Sequence, residues 1–199
     1  MANKFGVSWH TARGEKHPDY LGSLTQASSV RLGAAAGRDV YVPFTSLLPM
    51  VSPNDMVIGG WDISGMDLGG AMQRAGVLEY DLQRQLMERM SALKPLPSIY
   101  FADFIAANQS DRADNVLTGT PLEQMETVRG HIRDFKAANG LDKVIVLWSA
   151  NTERFSDVRV GLNTTKDELM ESIAKGDSEV SPSTLFAVAS ILEGCTYIN

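Results

Sequence analysis

The sequence lacks several features that would assign it to a particular protein class. Cys195 is the only cysteine among 199 residues, which excludes an intrachain disulfide and any site built from several cysteines. No stretch approaches the roughly 20 apolar residues that a membrane-spanning helix needs, and the first residues lack the apolar core of a signal peptide. The net charge of -6 disfavours nucleic acid and anionic membranes as partners. We therefore expect a cytoplasmic protein.

Recognisable catalytic and metal-binding motifs are also missing. The histidines His10, His17 and His131 are scattered, and none belongs to a cluster with metal-ligand spacing. His131 is expected on the solvated side of a helix. No serine or cysteine has the context of a catalytic nucleophile, so we assign no catalytic residue and no metal ligand. No glycines form a G-x-G-x-x-G turn after a strand, so a phosphate-binding loop is expected to be absent or to lie outside the chain.

The sequence does contain the alternation of helices and strands that is typical of a parallel α/β sheet. Apolar residues at spacings of three and four predict one long helix over Leu68–Leu93. Thr120 and Thr165 each begin a capping box, which predicts a helix start at each of them, and Gly140 and Gly176 are the expected ends of these two helices. Another helix is predicted to begin at Ser181-Pro182, with Leu185, Val188, Ala189 and Leu192 facing inward. Strands are predicted at Val40–Phe44, Met56–Ile58, Val144–Trp148 and Cys195–Asn199.

The stretch MVIGGWDIS, residues 56–64, combines an apolar run with two glycines and an acidic residue. The run Met56–Ile58 predicts a strand buried on both faces. Gly59 and Gly60 permit a close approach to the backbone at the strand's carboxyl end. Asp62 would then project into the crevice where open α/β sheets bind ligands. Its carboxylate could accept hydrogen bonds from both hydroxyls of a ribose. A helix cap is an equally common use of an aspartate at such a turn, and these residues alone leave both readings open.

Three polar loops follow predicted strands, at Gly60–Asp67, Ala107–Asn115 and Ser149–Arg154. In a doubly wound sheet, loops of this kind share one rim and can surround one ligand. Any one of them could be an ordinary turn that ends in a helix cap. The presence of three such loops favours a shared ligand site.

Several long motifs resemble the eukaryotic type of the myo-inositol-1-phosphate synthase (inositol-3-phosphate synthase) family. The similarity extends from about Asn3 to Asn199. The motifs are GSLTQASS at 22–29, VPFTSLLPMVSPND at 42–55, GGWDIS at 59–64, LPSIYFADFIAANQSDRADN at 96–115, DKVIVLWSANTERF at 142–155 and SPSTLFAVASILEG at 181–194. Motifs of this length are highly specific.

The resemblance implies a fold and an activity. It implies that residues 1–199 are a partial NAD-binding domain of modified Rossmann type, an α/β sheet that lacks its first strand and glycine-rich loop. The family converts glucose 6-phosphate to inositol phosphate through NAD-dependent oxidation, internal aldol cyclisation and re-reduction. Its subunits form a cytosolic homotetramer, and their catalytic and tetramerisation domain would lie beyond the C-terminus.

The resemblance also implies which residues hold NAD. Asp62 should bind the adenosine ribose. Ser98 and Ile99 should line the adenine side, with Gln109 and Arg112 nearby. The segment of Ser149, Ala150, Asn151 and Thr152 should run along the nicotinamide half. Ser149 and Ser98 depart mildly from the usual threonine and glycine, and Asp114 stands where asparagine is common and receives no role.

A different class of hypothesis treats the chain as a truncated, non-catalytic product that interacts with full-length subunits. On either hypothesis, we expect the isolated chain to lack synthase activity and to bind NAD weakly at best, because the phosphate-binding loop and the catalytic lysines are missing from it. We also expect an unpaired sheet edge and poor behaviour in solution.

Overall fold

A computed structural model describes residues 1–199, which fall into two compact units. The first unit comprises Met1–Ile58 and Met66–Lys94, and the second comprises Gly59–Gly65 and Pro95–Asn199. The two units are therefore interleaved along the chain. In particular, the short segment Gly59–Gly65 leaves the first unit to join the second.

The first unit begins with two β-hairpins, each preceded by a one-turn helix. Helix α1 (Ala2–Phe5) precedes strands β1 (Trp9–Thr11) and β2 (Gly14–Lys16), and helix α2 (Leu24–Ala27) precedes strands β3 (Ser29–Ala35) and β4 (Arg38–Pro43). Strand β4 contains most of the strand predicted at Val40–Phe44. Ala36 and Gly37 form the tip of the β3–β4 hairpin with φ values of 51° and 75°, the positive values that a two-residue type I′ turn requires.

The long helix predicted over Leu68–Leu93 is wrong, because the structure divides it in two. Helix α3 (Leu68–Ala75) ends at Gly76, whose φ of 62° reverses the chain, and helix α4 (Tyr80–Ser91) follows. A glycine in this left-handed conformation is a common helix stop. The two helices pack closely at Gly69, where an added Cβ would lie 2.2 Å from the Ser91 hydroxyl. The apolar spacing continues across the break because Leu78 lies in the connection between the two helices.

The second unit contains parallel strand pairs and three helices. Strand β5 (Trp61–Asp62) pairs with β6 (Leu96–Pro97), and β7 (Ile145–Leu147) pairs with β8 (Thr196–Ile198), both in parallel. The helices are α5 (Pro121–Ala138), α6 (Lys166–Lys175) and α7 (Pro182–Leu192), and a 3-10 helix spans Ala107–Arg112. The α/β class with parallel pairing is thus confirmed, as are the predicted strands that correspond to β7 and β8.

The predicted capping boxes are both present. Thr120 accepts from the Glu123 main chain at the start of α5, and Thr165 does the same for Glu168 at the start of α6. Such reciprocal caps satisfy main-chain donors that a helix start leaves free. The core of the second unit then forms between α5, α6, α7 and β7. Its most buried members are Ile99, Met125, Val128, Ile132, Ile173, Leu185 and Ala189.

Two predictions of burial are wrong. Leu192 is 44% exposed and does not face the core, although Leu185 and Ala189 do. Met56–Ile58 forms no strand, and its three side chains are between 41% and 60% exposed. The β5–β6 register would place Leu93 opposite Ile58, but Leu93 directly follows the end of α4. Pro95 and Pro97 also lack the N–H groups that a longer ladder needs.

Candidate functional site

Asp62 lies at the end of β5 with its side chain exposed. Its Oδ1 accepts a hydrogen bond from the Ser64 main-chain N–H at 2.9 Å, which closes a local turn. The next helix, α3, is capped instead by Asp67, which accepts from Gly70. The helix-cap reading of Asp62 is therefore wrong. No contact to its second oxygen, Oδ2, is present, so that oxygen can accept hydrogen bonds from a ligand.

The two glycines before Asp62 have different surroundings. A Cβ on Gly59 would lie 2.8 Å from the ring of Phe135, whereas a Cβ on Gly60 would meet nothing within 4 Å. Close packing against the α5 side chain therefore explains Gly59 without a ligand. The Gly60 carbonyl instead accepts a hydrogen bond from the Leu96 N–H at 2.9 Å.

The loop after β5 is held by the segment Asp114–Asn115. The Asn115 N–H donates to the Ile63 carbonyl at 2.9 Å, and its side-chain amide donates to the Asp62 carbonyl at 3.1 Å. The Asp114 carboxylate accepts from the Gly65 N–H at 2.8 Å. The structure thus brings the first and second predicted loops together. Sequence reasoning left Asp114 without a role, and no local signal in the sequence places its carboxylate beside Gly65.

Ser98 and Ile99 lie next to this cluster but inside the protein. The Ser98 N–H donates to the Asn115 carbonyl at 3.0 Å, and the Ser98 carbonyl accepts from Leu117 at 2.8 Å. Ser98 is buried, and Ile99, at 1% exposure, belongs to the hydrophobic core. Both main-chain polar groups of Ser98 are thus used within the protein, and the Ile99 side chain is part of the core.

Gln109 and Arg112 lie on the 3-10 helix and contact each other. The Arg112 Nη1 donates to the Gln109 Oε1 at 3.0 Å. The Arg112 Nε is buried and has no hydrogen-bond partner, which is unusual for a charged group. The hydrogen bond to Gln109 holds this guanidinium in position, so the two side chains would act together at the candidate site.

The segment Ser149–Thr152 follows β7 after Trp148, and all four residues are exposed. Trp148 precedes it and is fixed by its N–H, which donates to the Ile198 carbonyl at 2.7 Å. The polar side chains of Ser149, Asn151 and Thr152 make no hydrogen bond within the protein. Two hydroxyls and one carboxamide are therefore free to bind a ligand.

The two charged residues that end this loop are turned back into the protein. Arg154 pairs with Glu179 through both of its Nη atoms, at 3.0 and 3.1 Å. This pairing lowers the pKa of Glu179 below its ordinary value. Glu153 accepts from the Ser183 N–H at 3.0 Å. The structure therefore uses both charges of this loop within the protein.

His131 is not the surface residue that the sequence predicted. It is partly buried on α5, and its Nδ1 accepts a hydrogen bond from the Trp61 indole N–H at 3.0 Å. Burial lowers the pKa of His131 below its ordinary value of 6.5, so the neutral acceptor form is favoured. His131 therefore supports β5 one residue before Asp62. No periodicity signal distinguishes such a half-buried position from a solvated one.

The helix N-termini bear on whether these residues can hold a phosphate. A free helix N-terminus attracts anions through its N–H groups and its dipole. Here the helices of eight or more residues each have a carboxylate of the protein at or near that end, although at α4 the Glu79 side chain makes no cap hydrogen bond. These carboxylates are Asp67 for α3, Glu79 and Asp81 for α4, Glu123 for α5, Glu168 for α6, and Glu153 for α7. None of these helix ends is arranged to bind a pyrophosphate.

Groups of metal-ligating side chains and membrane-spanning helices are both absent from the structure. No three histidine, cysteine, aspartate or glutamate side chains are grouped so that they could ligate a metal ion. None of the helices combines the length and the apolar character required to cross a membrane.

Comparison with known sequences identifies similarity over the whole chain. The family model for myo-inositol-1-phosphate synthase, which describes an NAD-binding domain, matches residues 1–199. The inositol-3-phosphate synthase of Dictyostelium discoideum is 58% identical over 100% of this chain and 39% of its own length. The human inositol-3-phosphate synthase 1 is 57% identical over 100% of this chain and 36% of its own. The chain thus spans a little over a third of these curated relatives.

A solved structure agrees with the sequence comparison. The crystal structure of inositol-3-phosphate synthase from Caenorhabditis elegans superposes with a TM-score of 0.96 at 52% identity. The superposition covers 98% of this chain and 39% of the nematode chain.

Proposed function

We propose that this chain, which belongs to the myo-inositol-1-phosphate synthase family, supplies part of the NAD site of an inositol-3-phosphate synthase. The observation that carries the proposal is the match of the family's NAD-binding domain to every residue of the chain. The identity of 55–58% to curated synthases supports the same function. The substrate would be glucose 6-phosphate and the product an inositol phosphate.

The residues present fit part of NAD. Asp62 has a free carboxylate oxygen beside a turn closed by Ser64, which suits two ribose hydroxyls. The free hydroxyl and amide groups of Ser149–Thr152 suit the polar nicotinamide half. The pyrophosphate lacks a partner in these residues, because each longer helix begins against a carboxylate. We therefore assign to this chain the two ends of the cofactor and not its centre.

In this proposal the chain positions the cofactor, which supplies the hydride chemistry when bound. Asp62 would fix the adenosine ribose, and the cluster of Asp114 and Asn115 would hold the turn that carries Asp62. Arg112, paired with Gln109, would border the adenine. Ser98 and Ile99 would line the adenine side. Ser149, Ala150, Asn151 and Thr152 would orient the nicotinamide end.

Binding measurements on the complete gene product test this proposal. Asp62→Asn keeps an oxygen for Ser64 but removes the charge, so the dissociation constant for NAD⁺ should rise about 10- to 100-fold, since hydrogen bonds to charged groups contribute about 1.5–3 kcal/mol. Asp111→Asn is the matched control, since Asp111 is an exposed aspartate on the neighbouring 3-10 helix. An equal effect of both substitutions, or none of either, would contradict the assignment.

The cellular setting follows from the same family membership as a proposal. We propose a cytoplasmic homotetramer that acts in inositol and phospholipid biosynthesis, without nucleic acid or membrane partners. The alternative is a non-catalytic product that associates with full-length subunits. Product formation from glucose 6-phosphate by the protein purified from its source would decide for the enzyme, and association without turnover would decide for the alternative.

A further inference from the structure

We propose that Glu153 and Arg154 are positioning residues that hold Ser149–Thr152 in place for the nicotinamide half of NAD. This inference rests on the proposed function, because it concerns the same cofactor site. Neither residue is free to contact the cofactor itself. Their role would be to fix one end of a short exposed segment whose other end is fixed by β7.

Arg154 uses every donor that its guanidinium has. An arginine side chain carries five N–H donors, and five acceptors surround this one. Its Nε donates to the Asp103 carbonyl at 3.2 Å, its Nη1 to Phe155 and Glu179, and its Nη2 to Ser178 and Glu179. A single side chain therefore joins the loop to segments that lie far from it in sequence.

Two further contacts of Arg154 strengthen this anchor. Its main-chain N–H donates to the Phe104 carbonyl at 2.9 Å, and its guanidinium lies 4.0 Å from the centre of the Phe104 ring. Glu179, the carboxylate partner, is only 10% exposed and also accepts from the Asp157 N–H at 3.1 Å. A planar guanidinium fits such a bidentate and stacked site, and a lysine ammonium does not.

Glu153 anchors the same end of the loop to a different element. Its carboxylate accepts from both the N–H and the hydroxyl of Ser183, at 3.0 and 2.5 Å. Ser183 lies in the first turn of α7, where the helix dipole favours a negative charge. Tyr197 lies beside this contact and donates to the Ser183 carbonyl at 3.3 Å. Burial, together with Glu153, raises the pKa of Tyr197 to about 12, so this donor stays protonated.

The consequence is a short segment with two fixed ends. Trp148 is bonded to β8 at one end, and Glu153 and Arg154 are bonded to α7 and to Glu179 at the other. The four residues between them make no hydrogen bond of their own. Their conformation is therefore determined by the anchors, and a ligand that needs them arranged depends on Glu153 and Arg154.

The test compares two ligands on the complete gene product. Arg154→Ala should weaken the binding of NAD⁺ about tenfold, because the nicotinamide-side segment becomes disordered when its anchor is lost. It should leave the affinity for ADP-ribose unchanged, since that ligand lacks the nicotinamide. The exchange of the amide hydrogen at position 154 should become faster. Arg159→Ala is the matched control, because Arg159 contacts the same Glu179 carboxylate at 3.6 Å but does not hold the loop.

Each outcome separates the two proposals. Equal weakening of NAD⁺ and ADP-ribose, or unchanged NAD⁺ affinity, would overturn the positioning role. A wild-type protein that binds neither ligand would overturn the proposed function, while the amide exchange would still report whether Arg154 anchors the loop. If Arg154→Ala fails to fold, Arg154→Lys serves instead. This variant retains the charge, and its affinity should still fall for NAD⁺ but not for ADP-ribose. An unchanged NAD⁺ affinity in the lysine variant would contradict an anchor based on the guanidinium fork.

Discussion

The two loops that carry the candidate NAD contacts are held in place by different chemistry. The loop after β5 is fixed mainly by main-chain groups and the side-chain amide of Asn115, with one hydrogen bond to the Asp114 carboxylate and no ion pair. The loop after β7 is fixed by the charged side chains of Glu153 and Arg154. Both loops follow short parallel strands of the same unit. Neutral hydrogen bonds and ion pairs respond differently to pH and salt, so the two ends of one cofactor site should be separable by experiment.

The largest effect is expected at Asn115, which joins three segments of the β5 loop. Its side-chain amide donates to the Asp62 carbonyl at 3.1 Å and to the Pro95 carbonyl at 3.5 Å. Asn115→Ala removes both donors and should lower the free energy of unfolding by about 1–3 kcal/mol. Urea unfolding followed by tryptophan fluorescence would measure it. Asn108→Ala is the control, because Asn108 is exposed and only accepts from its neighbour Gln109. Similar losses in both variants would contradict a special role for Asn115.

The second prediction concerns pH and separates the two loops. Burial lowers the pKa of His131 below 6.5, so the unfolded chain binds more protons and the free energy of unfolding falls as the pH falls below about 6.5. Protonation also removes the acceptor for Trp61, a hydrogen bond that contributes about 1 kcal/mol. The β7 anchor should be lost later, because pairing with Arg154 lowers the pKa of Glu179 below 4.5.

Tryptophan fluorescence and amide exchange between pH 8 and pH 2 would follow both steps. His131→Gln provides the control, since its amide oxygen can accept from Trp61 but does not titrate. The upper step, below about pH 6.5, should disappear in this variant while the acidic step remains. Persistence of the upper step in His131→Gln would assign it to another group.

The sequence predicted the local starts and stops of the second unit well. The capping boxes at Thr120 and Thr165 and the stops at Gly140 and Gly176 are all observed near the predicted positions. These signals are local, because a cap depends only on residues within one turn. Gly76 is the same kind of signal, but the continuing leucine pattern concealed it. The apolar stripe is present in both helices, so periodicity alone could not locate the break.

The candidate site was less predictable for a physical reason. The residue types were found, since Asp62 and Ser149–Thr152 lie in exposed loops after β5 and β7. Their supports were not found, because Asn115, Glu179 and Ser183 approach from distant parts of the chain. The expected burial of Met56–Ile58 failed for a related reason: an apolar run predicts burial, but a strand also needs a partner with free N–H groups.

Salt should affect the β7 loop alone. Raising the ionic strength from about 0.01 M to about 1 M shortens the screening length from about 30 Å to about 3 Å. The exchange of the Asp157 amide, which donates to Glu179 at 3.1 Å, should become about two- to threefold faster as the Arg154 pair weakens. The Asn115 amide, which donates to a neutral carbonyl, should not change. Equal acceleration at both amides would indicate a global effect of salt and not a difference between the loops.

The smallest effect is expected at Ser183, because Glu153 has two donors there. Ser183→Ala removes the hydroxyl but keeps the main-chain N–H, which donates to Glu153 at 3.0 Å. The anchor should therefore survive, with a loss of at most about 1 kcal/mol in the free energy of unfolding. Urea unfolding would measure it, with Ser183→Thr as the variant that retains the hydroxyl. A loss above about 2 kcal/mol in the alanine variant alone would mean that the hydroxyl contributes more than the helix N–H. The β7 loop would then depend on a neutral donor much as the β5 loop depends on Asn115.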